Sequence, residues 1–365
     1  WCCTTRRGPT ARKASTLSSV TCCATTEIAH LDLVQFSVVD CPALDPAAPI
    51  QFLINAAAGS SAADTQRDVI ESVLQAEGRR GHLSFCSPSE LARVAREMAE
   101  RALSTRAAVV AVGGDGTLNT VAQAAHAVGC AMGVVPQGTF NYFARTHGIP
   151  TDPTEAVRLM LRSAPAPVQV AGINDRVFLV NASLGLYPDL LEDREAYKAR
   201  FGRSRWVALG AACITLLRAH RQLLLRIDLG GAARDVRTPT LFVGNNRLQL
   251  EQVGVPMQLC PVRGFDNGRV SAVMLRASST WDMMRVMLHG AAGRLGEAEG
   301  VESFEFDHML IKPRLSYGAR KVKVAFDGET QWMQWPIEFA VPQKPLYLLM
   351  PRADDAPSPE HLAPV

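Results

Sequence analysis

The sequence has no apolar run long enough to cross a membrane as a helix. Its longest uncharged apolar stretch, residues 206–217, is twelve residues long and is followed by Arg218, whereas a spanning helix needs about 20. An excess of one charge is missing as well, since 38 Lys and Arg against 35 Asp and Glu give a net charge of +3. So small an excess gives no reason to expect a nucleic-acid partner. We therefore expect a protein with no transmembrane segment and no nucleic acid.

A cysteine framework is also missing. Five of the nine cysteines precede residue 42, and the others are scattered through apolar surroundings, where a free cysteine behaves as a small hydrophobic residue. The two Cys-Cys pairs have neither His partners nor C-x-x-C spacing, which argues against zinc. This usage of cysteine favours a reducing compartment, and we expect a cytoplasmic protein.

The two ends of the sequence differ in composition from the middle. Residues 1–47 are rich in Thr, Ser, Arg and Cys and have no acid before Glu27. This bias resembles a transit peptide, but the apolar pattern is poor and the first residue is Trp, which favours a disordered or artificial extension. The tail over 353–365 is rich in Pro, Asp and Ala, and we expect it to be disordered.

After residue 48, apolar strands alternate with helices. The predicted strands are 50–54, 82–86, 107–112 and 131–135. The predicted helices cover 64–76, 118–128 and 153–162. A fourth predicted helix, between the second and third strands, opens with a capping box at 87–90 and has Pro88 at its first helical position. This alternation predicts a parallel sheet with helices on both faces. Ligands bind such sheets beyond the carboxyl ends of the strands. Asn55, a glycine turn at 113–117 and a polar turn at 136–141 all lie at such ends.

The glycine turn, Gly-Gly-Asp-Gly-Thr, is the most informative part of the sequence. A buried strand that runs through glycines into a helix N-terminus is a common way to build a phosphate site. Glycines let the backbone approach the phosphate, Thr117 and Asn119 add donors, and Asp115 adds a carboxylate that could hold a metal. The turn has neither the Gly-Lys-Ser/Thr of a P-loop nor the G-x-G-x-x-G of a Rossmann turn. A turn that only connects strand to helix is the alternative.

The period of the apolar pattern changes after residue 165. Pro165 and Pro167 mark a predicted boundary, and short strands follow at 168–170, 176–181, 223–229, 239–244, 268–275, 304–311, 321–326 and 337–341. Strands of this kind predict an antiparallel β domain, interrupted by helical segments near 190–217 and 279–295. The predicted domains are 48–165 and 166–352, and a return of the last strands to the first domain stays open.

Four groups of residues resemble the diacylglycerol kinase catalytic family, which also holds sphingosine and ceramide kinases and bacterial lipid kinases. They are Asn55 with Gly59, Gly-Gly-Asp-Gly-Thr-Leu-Asn at 113–119, Gly-Thr-Phe-Asn-Tyr-Phe-Ala-Arg at 138–145, and Asp-Gly-Glu at 327–329. The resemblance spans about residues 51–351. NAD kinases and phosphofructokinases have similar glycine turns, but the combination is typical of the lipid-kinase branch.

The resemblance implies a fold, a reaction and a set of site residues. The fold is a parallel α/β domain, flavodoxin-like or NAD kinase-like, followed by an antiparallel β-sandwich, with the active site in the cleft between them. The reaction is transfer of the γ-phosphoryl group of ATP, with Mg²⁺, to a primary hydroxyl of a diacylglycerol-like lipid. Asp327 is the implied general base and Glu329 a metal ligand or a neighbour of one; a hairpin turn without chemistry is the alternative. The implied cofactor-binding residues are Asn55, Gly59, Gly113, Gly114, Asp115, Gly116, Thr117, Asn119, Gly138, Thr139 and Asn141, with Asp115 also at the metal.

The sequence departs from the family at Tyr142. Many members have Asp at this position, so a carboxylate that could join a metal and water network is missing, and Asp115 becomes the better metal candidate. Two other functions stay open, an NAD kinase-like kinase for a soluble substrate and a nucleotide-binding regulatory protein without catalysis. The acceptor lipid and the oligomeric state, including a homodimer, also stay open.

A lipid kinase without a spanning helix must meet its substrate at the bilayer surface. Five basic residues directly precede the apolar run 206–217, and Trp206 and several Leu lie within that run. Basic residues beside Trp and Leu suit interfacial binding, so we expect peripheral docking at the inner membrane surface. A core helix with a solvated basic neighbour is the alternative. The basic residues are Arg194, Lys198, Arg200, Arg203 and Arg205.

Overall fold

The computed structural model describes residues 41–56, 60–138, 140–186, 188, 222–231, 233–245, 268–276, 300–314 and 320–351. The disordered extension predicted over 1–47 lies outside these residues up to residue 40, but residues 41–47 are ordered, and the Asp45 N–H donates to the Arg106 carbonyl at 2.8 Å. The tail predicted over 353–365 and the predicted docking segment at 194–217 lie outside the described residues. Five helices lie entirely within the described ranges: α1 (Ser60–Ala76), α2 (Leu91–Ser104), α3 (Asp115–Val128), α4 (Tyr142–Thr146) and α5 (Pro153–Arg162).

The same ranges contain eighteen strands in three sheets. They are β1 (Ile50–Asn55), β2 (Gly81–Cys86), β3 (Ala108–Gly113), β4 (Ala131–Pro136), β5 (Ala164–Val168), β6 (Ala171–Ile173), β7 (Arg176–Phe178), β8 (Asn181–Gly185), β9 (Leu223–Asp228), β10 (Ala233–Thr238), β11 (Thr240–Gly244), β12 (Val270–Leu275), β13 (Val301–Phe306), β14 (His308–Pro313), β15 (Lys321–Phe326), β16 (Glu329–Gln334), β17 (Ile337–Ala340) and β18 (Leu346–Met350).

The first sheet is the predicted parallel one, with the strand order β2-β1-β3-β4-β18-β5. Its strands pair in parallel except for β18 and β5, which are antiparallel. Every residue of β3 and β4 is buried, as expected of strands covered on both faces. Helix α1 packs against α5 and α2 against α3, so one pair of helices covers each face.

The chain changes direction within this sheet between β1 and β3. From β1 it crosses to β2 on one side, and then returns past β1 to β3 on the other. Such a reversal opens a crevice at the carboxyl ends of the two strands, where open α/β sheets bind their ligands. The residues at these two ends are Asn55 and Gly113.

The remaining strands form two antiparallel sheets that share one hydrophobic core. Their orders are β10-β9-β14-β17-β6-β7 and β13-β12-β11-β8-β15-β16. Phe178, Ile227 and Phe339 of the first and Leu184, Leu241 and Val324 of the second are fully or almost fully buried in the same cluster. The prediction of a parallel α/β part followed by antiparallel sheets is therefore confirmed at this level.

Several local predictions were wrong. Pro165 and Pro167, predicted as a boundary, lie within the edge strand β5 of the first sheet, a position that tolerates Pro because one side of the strand makes no ladder bonds. Helix α2 begins at Leu91 rather than at Pro88, since residues 88–90 form a turn. The predicted strand 176–181 is two strands, because the chain passes from one antiparallel sheet to the other at residues 179–180. Likewise, 304–311 spans the turn between β13 and β14.

Candidate functional site

The glycine turn joins the end of β3 to the start of α3. The cap residue of the helix is Gly114, in an extended conformation and without a side-chain cap, and the first helical bond runs from the Leu118 N–H to the Gly114 carbonyl at 3.0 Å. The first N–H groups of a helix have no partner within it, and together they carry partial positive charge. The turn thus presents an uncapped helix N-terminus at the crevice beside β1.

Close packing explains the glycines at three positions of the two turns. A Cβ on Gly113 would lie 2.8 Å from the Thr117 side chain, and one on Gly116 would lie 2.6 Å from Glu329 Oε1. A Cβ on Gly138 would lie 2.8 Å from Asn141 Oδ1 and 3.3 Å from the Gly114 Cα. These glycines are required because side chains and backbone approach them closely.

Asn55 joins the end of β1 to the glycine turn. Its Nδ2 donates to Thr117 Oγ1 over 3.0 Å, and Thr117 is buried. This bond spans the crevice between β1 and β3 and fixes the Thr117 hydroxyl. The Asn55 and Thr117 pair therefore forms one wall of the site.

A second turn, over residues 137–141, follows β4 and lies against the first. The Gln137 N–H donates to the Gly113 carbonyl at 2.8 Å. Asn141 has a φ of +49°, and its side-chain amide both accepts from the Gly138 N–H and donates to the Gly138 carbonyl, each over 2.8 Å. Asn141 thus shapes the turn, while Tyr142 stacks on Phe140 with the ring centroids 5.6 Å apart.

These parts surround a cavity of about 370 Å³. Its walls come from the end of β1, the glycine turn with the start of α3, the segment that leads into α2, and the first residue of β16. The described lining residues are Asn55, Pro88, Leu91, Ala92, Gly114, Asp115, Gly116, Thr117, Thr120 and Glu329. No Lys or Arg occurs among them, so the positive potential that these residues offer to an anion comes from backbone N–H groups.

Asp115 is the first residue of α3 and is partly buried. Burial raises the pKa of its carboxyl above the ordinary value, and the backbone amide of Asn141 opposes that rise. Its Oδ1 is buried without a hydrogen-bond partner among the described residues. A buried carboxylate oxygen that lacks a donor is costly, and a cation in the cavity would satisfy it.

Asp327 occupies the turn between β15 and β16, behind the cavity wall. Its Oδ2 accepts from Asn119 Nδ2 at 2.6 Å and from the Leu179 N–H at 2.7 Å. Its Oδ1 accepts from the Val180 and Asn181 N–H groups at 2.8 and 3.1 Å. Burial raises the pKa of Asp327 to about 6, and these four hydrogen bonds oppose a further rise of that pKa.

The structure therefore separates the predicted site residues into three sets. Those on the cavity are Asn55, Gly114, Asp115, Gly116, Thr117 and Glu329. Gly113, Gly138 and Asn141 shape the two turns, whereas Asn119 and Asp327 lie behind them, bonded to each other. Gly59 and Thr139 lie outside the described residues.

Sequence reasoning missed the wall that α2 provides. Pro88, Leu91 and Ala92 follow the carboxyl end of β2, which is at the same edge of the sheet as the ends of β1 and β3. A signal was present, because the Ser87-Pro88 sequence directly follows a predicted strand. Thr120, one turn beyond Gly116 on α3, was missed as well.

The described residues hold neither a metal cluster nor a membrane-spanning helix. In the part of the chain that the structure describes, no three His, Cys, Asp or Glu residues cluster as a metal site would require. No described helix combines the length and apolar character that a membrane-spanning segment needs.

Comparisons with known proteins agree with this architecture. A family model described as the diacylglycerol kinase catalytic domain matches residues 49–173. A Pseudomonas aeruginosa (strain UCBPP-PA14) protein named probable lipid kinase YegS-like is 30% identical over 244 residues, which cover 64% of this chain and 74% of the relative. A protein of the same name from Serratia proteamaculans (strain 568) is 27% identical over 241 residues, covering 64% of this chain and 75% of the relative.

A solved structure shows the same fold over most of the chain. The crystal structure of a diacylglycerol kinase from Bacillus anthracis (strain Sterne) has a TM-score of 0.58 and covers 84% of this chain and 97% of its own. The sequence identity is 17%, so this likeness concerns the fold alone.

Proposed function

The chain belongs to the diacylglycerol kinase catalytic family, and from this membership we propose that it is a lipid kinase that transfers the γ-phosphoryl group of ATP to a primary hydroxyl of a diacylglycerol-like lipid. The observation that carries the proposal is the cavity itself. It brings an uncapped helix N-terminus, the Asp115 carboxylate and the Glu329 carboxylate together. Phosphoryl transfer needs little more than positioned donors, a metal and a base.

The nucleotide phosphates would lie at the N-terminus of α3. The backbone N–H groups and the dipole of the helix suit an anion, and the Thr117 hydroxyl, held by Asn55, adds a donor. Gly114 and Gly116 leave this face of the turn without side chains. Asn119 is buried behind the turn, so its predicted support of the phosphates would act through the helix rather than by contact.

The residues present suit a magnesium ion. Mg²⁺ prefers one or two carboxylates together with phosphate oxygens and water, and the unpartnered Oδ1 of Asp115 is such a ligand. When bound, the ion supplies positive charge that neutralises the phosphates. Asp115 would hold it, as predicted from the sequence.

Two carboxylates are candidates for the proton acceptor, Asp327 in the turn between β15 and β16 and Glu329 at the start of β16. Glu329 lines the cavity, whereas each Asp327 oxygen already accepts two hydrogen bonds. We favour Glu329 as the group that reaches the lipid hydroxyl, with Asp327 holding the turn. The assignment of Asp327 as the base, which the family resemblance implies, stays a prediction, and the variants below separate the two.

The lipid would reach the cavity from a membrane surface. The basic and apolar segment at 194–217, predicted to dock at the inner surface of the cytoplasmic membrane, lies outside the described residues. Its contribution is tested by flotation with anionic vesicles after Arg200→Glu and Arg203→Glu. Flotation unchanged by both substitutions would count against docking through this segment.

The experiment is incubation with labelled ATP, Mg²⁺ and either a total lipid extract or NAD, followed by thin-layer chromatography. We expect labelled lipid with the wild type and a loss of at least about 100-fold with Glu329→Gln, the scale typical of a lost general base. Glu97→Gln is the matched control, because Glu97 is an exposed carboxylate of α2.

Three outcomes decide between the functions. Labelled NAD in place of labelled lipid would establish the soluble-substrate kinase. Binding of ATP without any labelled product would establish the regulatory protein. A normal rate in Glu329→Gln together with a loss in Asp327→Asn that leaves the protein folded would return the role of base to Asp327.

A further inference from the structure

Helix α3 contacts the first of the two antiparallel sheets through two amide side chains. Asn119 and Gln123, four residues apart, lie on the same face of the helix. Asn119 Nδ2 donates to the Val177 carbonyl over 3.2 Å. Gln123 accepts from the Val177 N–H over 3.2 Å and donates to the Val177 carbonyl. The helix that begins at the glycine turn thus binds both polar groups of one peptide residue in β7.

Val177 lies on a strand whose outer side faces this helix. Strand β7 is the last of its sheet, so its outward N–H and C=O groups have no neighbouring strand, and buried backbone groups need partners. The Gln123 amide supplies one donor and one acceptor, as an adjacent strand would. The contact therefore fixes both the position of Val177 and the orientation of its N–H and C=O groups.

Asp327 holds the next residues of the same segment from the other side. Its carboxylate accepts from the N–H groups of Leu179, Val180 and Asn181, and its own N–H donates to the Asn181 carbonyl at 2.9 Å. Residues 177–181 are thus bound by α3 at one end and by the turn that carries Glu329 at the other. Asn119 connects these two contacts, because it donates hydrogen bonds to both Val177 and Asp327.

We propose that Gln123 is a positioning residue for phosphoryl transfer, which with Asn119 fixes residues 177–181 and, through Asp327, the position of Glu329 over the glycine turn. The inference rests on the proposed function. The tolerance is small, since a Cβ on Gly116 would already lie 2.6 Å from Glu329 Oε1. A displacement of about 1 Å at a reacting group can cost about 100-fold in rate.

The test compares three variants at one position. Gln123→Ala removes the amide, Gln123→Met keeps the side-chain length without hydrogen bonds, and Gln123→Glu keeps the shape but places a carboxylate oxygen against the Val177 carbonyl. We expect kcat with lipid to fall about tenfold or more in all three. KM for ATP should change less than about twofold, because Asn55, Thr117 and the glycine turn are untouched. Gln75→Ala, at an exposed site on α1, is the matched control.

Hydrogen exchange supplies a readout that does not need turnover. In the folded variants, amides of residues 179–181 and 327–329 should exchange at least about tenfold faster than in the wild type and in Gln75→Ala. Unchanged exchange there overturns the inference whether or not the wild type phosphorylates lipid. An active wild type with unchanged kcat in Gln123→Met and Gln123→Glu overturns it too. A wild type without lipid kinase activity refutes the proposed function, and the exchange result still decides the coupling.

Discussion

At the scale of single residues, Gly116 is the point where the two halves of the cavity meet. It belongs to the glycine turn, and the nearest atom to a Cβ placed on it is Glu329 Oε1, from a turn more than two hundred residues later. Glycine at this position is needed for the close approach of a distant carboxylate. One methyl group is therefore enough to test the arrangement of the two turns.

We predict that Gly116→Ala lowers kcat by about tenfold or more while changing stability little. The added methyl displaces the Glu329 carboxylate from its position for the reaction, which lowers kcat. Stability changes little because the Glu329 side chain is exposed and can move without disturbing the core. Steady-state kinetics and urea unfolding measure the two effects. If the methyl acts through Glu329, it should cost much less in a Glu329→Gln background. Equal losses in both backgrounds would contradict this explanation.

Sequence separation limited what could be predicted for the site. Asn55, the glycine turn and the turn after β4 were expected at one edge of the sheet, because carboxyl ends of parallel strands meet there. The partners of Asp327 could not be expected, since its amide donors lie at least 146 residues away and depend on how two sheets meet. Periodicity carries no information about such contacts.

At the scale of elements, α4 is the short helix that follows the second turn of the site. It covers only Tyr142–Thr146 and is capped by His147, whose ring packs edge-on against Phe143 with the centroids 4.6 Å apart. Burial lowers the pKa of His147 to about 4, so the imidazole is neutral at pH 7. A fall in pH therefore protonates His147 at the end of α4.

We predict that His147 makes the protein less stable as the pH falls. The folded pKa lies below the unfolded value of about 6.5, so the unfolded state binds the proton first and the stabilisation is lost from about pH 6.5 down to pH 4. The loss is about 2 kcal/mol, allowing for the part of the residue that water reaches. Urea unfolding at pH 7.5 and pH 4 should show this extra loss in the wild type and not in His147→Gln. The same pH dependence in both proteins would exclude His147 as its source.

The strands that were predicted from the sequence are more deeply buried than those that were not predicted. Strands β3 and β4 are continuous apolar runs and β1 is mainly apolar, as suits strands covered on both faces, and their positions were predicted closely. Strand β10 (ARDVRT) and strand β16 (ETQWMQ) are edge strands with several exposed residues. Their polar composition resembles that of loops, and only the neighbouring strands, through the pairing, make them strands. Tertiary contact therefore decided what local pattern could not.

At the scale of the whole molecule, β18 makes the two parts of the chain interdependent. It comes after all the antiparallel strands, yet it lies between β4 and β5 in the first sheet. Its residue Leu348 is completely buried in the core of that sheet. The stability of the first sheet therefore depends on residues near 350.

We predict that Leu348→Ala lowers the free energy of unfolding by about 3 kcal/mol, and that circular dichroism and tryptophan fluorescence report the same loss. Helices α1 to α5 precede residue 163, whereas four of the five tryptophans follow residue 205, so the two probes weight the two parts of the chain differently. Leu103→Ala is the control, since Leu103 is 45% exposed and its loss should cost less than about 0.5 kcal/mol. Separate transitions for the two probes would contradict a single cooperative unit.

The place of β18 also governs the order of events during synthesis. Until the ribosome has made residues 346–350, β4 has no partner on its outer side and β5 cannot join the sheet, so a nascent first sheet exposes an unpaired apolar strand. Exposed strand edges of this kind promote aggregation and are bound by chaperones. Translation must therefore run almost to residue 350 before the glycine turn rests on a finished scaffold, and a chain stalled earlier would be a substrate for quality control rather than a partly active kinase.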